Sequence, residues 1–159
     1  MKKTTVALAS LLIMVLFTSA RYTTPADVRI GYQAPSLALT NDGGSMSLAQ
    51  LRGSYVIVTF WTSAQPQSRI DNLAHDRLAA ANDNLHHISV NIDRSEGLWN
   101  TLKRCDSLDE NAQFYLPDDR QETVLKAWRQ NADQFSSVLV DPDGVVIAIN
   151  PTIDELKQI

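Results

Sequence analysis

The segment Tyr55-Val56-Ile57-Val58-Thr59-Phe60-Trp61 constrains the fold more than any other stretch of the chain. It is β-branched and aromatic almost throughout, with no polar alternation strong enough for an exposed face, and so predicts a buried central strand. Helical spacing follows over Arg69 to Asn82, with Ile70, Leu73, Ala74, Leu78 and Ala81 on one face and Asp71, Asn72, Asp76 and Arg77 elsewhere. Leu85, Ile88, Val90 and Ile92 mark a second strand ended by Asp93. Asp93 and Glu96 then form a plausible cap for a helix carrying Leu98, Trp99 and Leu102. The order to this point is β-α-β-α.

Phe114-Tyr115-Leu116 is a short strand candidate, and Asp119 with Glu122 caps a helix whose apolar stripe is Val124, Leu125 and Trp128. Ser137 to Val140 and Val145 to Ile149 are strand-like and joined by the turn Asp141-Pro142-Asp143-Gly144, which predicts a terminal hairpin. A capping box at Thr152-Ile153-Asp154-Glu155 starts a last short helix with Ile153, Leu156 and Ile159 inward. Upstream of the central strand, Ser36 to Leu39 reads as a short strand and Asn41-Asp42-Gly43-Gly44 as a turn. Ser47 to Gln50 has capping-box spacing for a one-turn helix that stops at Gly53. Alternating strands and helices closed by an antiparallel hairpin predict an α/β three-layer sandwich with a mixed central sheet and helices on both faces.

The 159 residues carry 14 Lys+Arg against 18 Asp+Glu, a net charge of −4, with no basic run. This balance argues against nucleic acid as a partner. Lys2 and Lys3 precede the apolar run Val6 to Phe17, and Thr18-Ser19-Ala20 supplies small residues, which together read as a secretory signal peptide over residues 1–20. The run is too short for a spanning helix, which needs about 20 apolar residues. The expectation is one domain over residues 21–159, exported to the periplasm or cell envelope with no stable membrane span after signal cleavage.

The ordered phrases Ala34-Pro35-Ser36-Leu37, Ser47-Leu48-Ala49-Gln50-Leu51-Arg52-Gly53, Tyr55 to Trp61 with Thr62-Ser63, and Ser136 to Gly144 cover most of that domain. In this order and spacing the chain resembles the envelope thioredoxin-like proteins of the TlpA/ResA type, related to the AhpC/TSA redoxins. The resemblance implies a thioredoxin-like fold whose usual activity is thiol-disulfide exchange. It also implies where the family's WCxxC falls: Ala64 stands at the Trp, Gln65 at the first Cys and Ser68 at the second. The family's cis-proline falls at Phe135. Exchange needs a thiolate to attack and a second thiol to resolve the mixed disulfide, and neither Gln65 nor Ser68 supplies one. Without proline a cis peptide costs roughly 2.5 to 4 kcal/mol, so Gln134–Phe135 is expected to be trans. The absence of a cysteine between Trp61 and Ser68 disfavours peroxidase activity as well.

The chain has one cysteine, Cys105. Its spacing from Leu98 and Leu102 places it on an apolar helix stripe, and core packing is the favoured reading. Thr62, Ser63, Ser68 and Arg69 surround the vacated turn, where a helix N-terminus can hold an anion or Ser68 can act simply as N-cap. His75, His86 and His87 read as surface histidines, with Asp71 and His75 paired on a helix surface. No metal or cofactor is expected, and Asp141 and Asp143 read as turn residues. Trp61, Trp99 and Trp128 sit at positions patterned as buried, with Trp61 bordering the turn. The functional expectation is a noncatalytic module that binds a peptide, a protein of the cell envelope or a small ligand. Its binding residues would be Trp61, Thr62, Ser63, Arg69, Phe135 and Ser136. The alternative is a single-cysteine oxidoreductase using Cys105.

Overall fold

The computed structural model describes residues 27–41, 43–131 and 134–159. The signal peptide expected over residues 1–20 lies outside the described residues. Successive side chains of a strand point to opposite faces, and strand β3 (Tyr55–Trp61) divides the molecule on that rule. Val56, Val58 and Phe60 enter an apolar core with Ile88, Val90, Phe114, Val138 and Val140. Ile57, Thr59 and Trp61 face the other way.

The central sheet has the order β5-β4-β3-β6-β7, formed by β4 (Leu85–Asn91), β5 (Gln113–Tyr115), β6 (Ser137–Val140) and β7 (Val146–Ile149). β3, β4 and β5 run parallel, while β6 pairs antiparallel with β3 and with β7. The expected mixed sheet and terminal hairpin are therefore present. In the hairpin turn Gly144 adopts φ +73, and Asp141 accepts from the Val145 amide at 2.8 Å. The predicted Ser36–Leu39 strand begins two residues later, as β1 (Ala38–Asn41), because its pairing with β2 (Gly44–Ser47) sets its limits. The one-turn helix at Leu48–Leu51 is 3-10 and has the expected Ser47–Gln50 capping box.

Among the described residues four α-helices flank the sheet: α1 (Pro66–Ala80), α2 (Glu96–Cys105), α3 (Asp118–Ala127) and α4 (Ile153–Leu156). Val124, Leu125 and the buried Trp128 at the end of α3 close the apolar face, with the Trp128 ring 5.8 Å from that of Phe60. Leu78 and Ala79 of α1 and Ile153 and Leu156 of α4 pack on the opposite face against Ile57, Leu85 and Leu139. This is the three-layer α/β arrangement of a thioredoxin-like fold. No helix among the described residues is long and apolar enough to cross a membrane.

Helix α1 corrects the sequence reading in two ways. It starts at Pro66, whose fixed φ and missing N–H suit the first helical position. Its buried residues are Ser68, Asn72, His75 and Asp76, whereas Ile70 is 58% exposed. The cause is the sheet beneath it: β3, β4 and β5 turn Thr59, His87, Ser89, Asn91 and Gln113 toward the helix, all of them buried. A polar helix face meets a polar sheet face.

Within this layer His75 Nδ1 lies 2.9 Å from Thr59 Oγ1, which lies 3.2 Å from His87 Nε2. Asp76 Oδ1 accepts from the Asp109 amide at 3.1 Å and from Gln113 Nε2 at 3.2 Å. Trp61 Nε1 donates to Ser89 Oγ at 2.8 Å. His75 and His87 are thus core residues rather than surface ones, and only His86 of the three is exposed. Asp71 accepts from Gln67, not from His75. Burial, then the neighbouring His87, push His75 down to about 4. Burial also lowers His87, against the opposing pull of Asp76.

Both histidines are consequently neutral in the folded protein near pH 7, while in the unfolded chain they take up protons near pH 6.5. Between pH 6.5 and 4 the unfolded state binds more protons, so stability falls as pH falls. The His75 shift alone corresponds to about 3 kcal/mol lost by pH 4. Urea midpoints measured between pH 7 and 4.5 are expected to fall steadily in the wild type and less steeply in His75→Asn. Equal slopes would contradict the assignment.

Candidate functional site

The turn between β3 and α1 is held by one carboxylate. Asp93 accepts from the Thr62 hydroxyl, from the Ser63 amide at 3.0 Å, from the Ser63 hydroxyl at 2.8 Å and from Asn91 Nδ2 at 2.9 Å. Burial pushes the Asp93 carboxyl up, but these donors outweigh it and hold it below its ordinary value. Asp93 therefore does not cap α2 as its spacing suggests. Ser95 takes that position, accepting from the Leu98 amide at 3.2 Å. Thr62 and Ser63 are accordingly bound to the protein itself.

Ser68 is not the N-cap of α1 either. Gln65 is, and no side chain caps that first turn. The Ser68 hydroxyl donates to the Gln65 carbonyl at 2.8 Å and accepts from the Thr62 amide at 3.2 Å. Arg69, expected beside an anion, is turned to Asp106 in a two-pronged pair at 2.8 and 2.7 Å. Trp61 is fully buried in the polar layer. Ser136 donates its amide to Gln130 Oε1 at 2.7 Å.

A groove of about 690 Å³ opens where the first turns of α1 meet the start of β6 and the α4 segment. Gln65, Ser68, His75, Phe135, Asn150 and Ile153 are among its walls. Of the residues expected to bind, Phe135 lines it together with the two degenerate positions Gln65 and Ser68. Trp61, Thr62, Ser63, Arg69 and Ser136 do not. Gln65 Oε1 accepts from the Phe135 amide at 3.3 Å and ties the two sides together. Phe135 is half-buried against the main core. No cis peptide occurs among the described residues, so Gln134–Phe135 is trans as expected.

The residue that the sequence reading missed is His75. It lines the groove while being only 4% exposed, with Nδ1 turned inward to Thr59. Its position seven residues after Ser68 on one helix face was the available signal. Cys105 is the opposite correction: it is exposed, not packed in the core. It ends α2, where Trp99 alone is buried, and lies close enough to Arg69 for a thiolate there to favour the guanidinium charge.

Residues 30–149 match the model of the AhpC/TSA family. Among solved structures, the thioredoxin domain of a thiol-disulfide oxidoreductase from Bacteroides vulgatus is 25% identical. The match spans 83% of this chain and 95% of that one, with a TM-score of 0.72. A thiol:disulfide interchange protein from Bacteroides sp. is 26% identical over 82% of this chain and 87% of that one, at a TM-score of 0.71. A secreted Mycobacterium tuberculosis disulfide oxidoreductase shares the fold at 19% identity, 77% and 92% coverage and a TM-score of 0.61. A search of curated proteins gave no match.

Two outcomes test this geometry. Asp93→Ala removes the acceptor shared by Thr62, Ser63 and Asn91 and is expected to cost about 2 to 3 kcal/mol in urea unfolding. A loss under half a kcal/mol would mean that the turn is held otherwise. A thiol reagent is expected to titrate Cys105 in the native protein, with no further reaction after denaturation.

Proposed function

The chain belongs to the AhpC/TSA family, and from that premise we propose that it is a noncatalytic thioredoxin-fold module that binds an extended polypeptide at the groove beside Gln65 and Ser68. The observation that carries this reading is the groove itself. It persists at the N-terminus of α1 with Phe135 on its far wall, while neither Gln65 nor Ser68 has a sulfur. A Gln amide is not a nucleophile, and among the described residues the Ser68 hydroxyl bonds only to backbone groups of Thr62 and Gln65. The resemblance to a thiol-disulfide oxidoreductase domain and an interchange protein, 25% and 26% identical, supports a surface shaped for polypeptide. Lys2, Lys3 and the apolar run that follows support export to the periplasm or cell envelope, where the partner would be met.

A second reading is favoured by the exposure of Cys105. Its thiolate would attack a substrate disulfide, forming a mixed disulfide and expelling one substrate thiolate. An external thiol would then release the other half.

An unfolded, carboxymethylated polypeptide is expected to bind the wild type and to bind Phe135→Ala about five- to tenfold more weakly, with circular dichroism unchanged. Unchanged affinity would remove the groove from the reading. In parallel, glutathione-driven reduction of insulin disulfides is expected to proceed no faster with the protein than without it. Turnover that vanishes in Cys105→Ser would instead establish the second reading.

A further inference from the structure

We infer that the occupant of the groove donates a hydrogen bond to Nε2 of His75, and that a buried chain of side chains starting at Asp76 fixes that nitrogen as an acceptor. The inference rests on the groove being the binding site and adds the chemistry that it recognises.

The chain of contacts has a direction. His87 Nδ1 lies 3.9 Å from Asp76 Oδ1, and both side chains are almost fully buried. This is too long for a direct hydrogen bond, and His87 Nδ1 has no other partner among the described residues. At that distance in a low-dielectric interior, a lone pair turned to a carboxylate is repelled and an N–H is attracted. The proton of neutral His87 therefore sits on Nδ1, leaving Nε2 as an acceptor. The hydroxyl of Thr59 has one proton and donates it to His87 Nε2 at 3.2 Å. The same oxygen then accepts from Nδ1–H of His75 at 2.9 Å. With its proton on Nδ1, His75 keeps a lone pair on Nε2.

Nδ1 of His75 faces inward to Thr59, and His75 is one of the residues that line the groove. Nε2 has no hydrogen-bond partner among the described residues and is not one of the fully enclosed unpartnered atoms. Nε2 is thus an unmatched acceptor in a groove-lining residue that is only 4% exposed. The other charges favour a donor rather than an anion. Arg69 is engaged by Asp106 and Lys157 by Asp154, while the Asp71 carboxylate lines the groove. The uncapped first turn of α1 lies at the same groove and offers backbone N–H groups. An extended polypeptide carries both partners, a carbonyl for that turn and an N–H for His75. Thr59 is on this account a positioning residue, since it reaches the ligand only through His75.

The test is long-range 15N–1H correlation of the imidazoles in the full chain at pH 7, with and without the carboxymethylated polypeptide. His75 and His87 are expected to be Nδ1–H tautomers, unlike the exposed His86. Thr59→Val should release His75 from that tautomer and weaken polypeptide binding about fivefold, whereas Thr59→Ser, which keeps the hydroxyl, should retain both. The polypeptide should shift Nε2 of His75 in the wild type. An Nε2–H tautomer of His75 in the free protein overturns the inference even if the polypeptide binds. Binding that moves the Gln65 and Phe135 amides but leaves His75 Nε2 unmoved also overturns it, while the groove reading stands. Sulfate displacing the polypeptide, with His75 protonated, would identify an anion site instead. Failure of the polypeptide to perturb any groove residue would overturn both readings.

Discussion

The rest of the structure depends on the polar layer between α1 and strands β3, β4 and β5. Thr59, His87, Ser89, Asn91 and Gln113 rise from the sheet, and Ser68, Asn72, His75 and Asp76 descend from the helix, all of them buried. Removing such groups from water is unfavourable unless they are paired. Nearly every one has a partner here, although Asn72 Oδ1 and His87 Nδ1 have none among the described residues. An apolar interface would tolerate a shift of the helix by a residue or a rotation about its axis. This one does not, because the shift would leave several donors and acceptors unmatched at once. The layer therefore fixes where α1 sits, together with the packing of Leu78 and Ala79 against the Ile57 and Leu85 cluster.

The position of α1 in turn determines the groove. Its first turn forms one wall, and its third turn carries His75 into the base. The strand that leads into it ends in a turn held by Asp93, whose carboxylate gathers Thr62 and Ser63. Two carboxylates thus act along this helix: Asp93 at the turn before it and Asp76 on its own buried face. Burial raises the Asp76 carboxyl, yet His87, the Asp109 amide and Arg77 prevail and keep it below its usual range. Both carboxylates remain charged in the folded state, and each orients neutral hydrogen-bonding groups around it.

Much of this was legible in the sequence, and the failures share a cause. The central strand, the hairpin at Asp141–Gly144 and the capping boxes at Ser47 and Thr152 were readable because each depends on local chemistry over a few residues. Helix α1 was misread because amphipathic analysis assumes that the apolar stripe is the buried one, which places Ile70 inside and His75 outside. The contrary signal was present in Leu85-His86-His87-Ile88-Ser89-Val90-Asn91, where His87, Ser89 and Asn91 share one face. It becomes meaningful only when strand pairing places that face against Thr59. Asp93 was taken for a cap because Asp, spaced three residues from Glu96, usually is one. The competing donors come from residues some thirty positions earlier. Cys105 falls at the last residue of α2, seven residues after Leu98, which is itself 42% exposed, so the side of the helix that carries both does not face the core.

The same geometry bears on a redoxin scaffold that carries Gln65 and Ser68 where the resemblance places the two cysteines. Exchange chemistry needs an accessible thiolate, and a helix N-terminus favours one through its backbone N–H groups and dipole. In this chain that place is held by Gln65, whose side-chain oxygen accepts from the Phe135 amide across the groove. A contact that fastens one wall to the other is unsuited to a residue that must form and release a covalent bond to substrate. It suits a surface that presents a fixed set of donors and acceptors. On the binding reading proposed above, the cross-groove hydrogen bond of Gln65 would hold a preorganised site whose affinity would come from matching a ligand's polar groups.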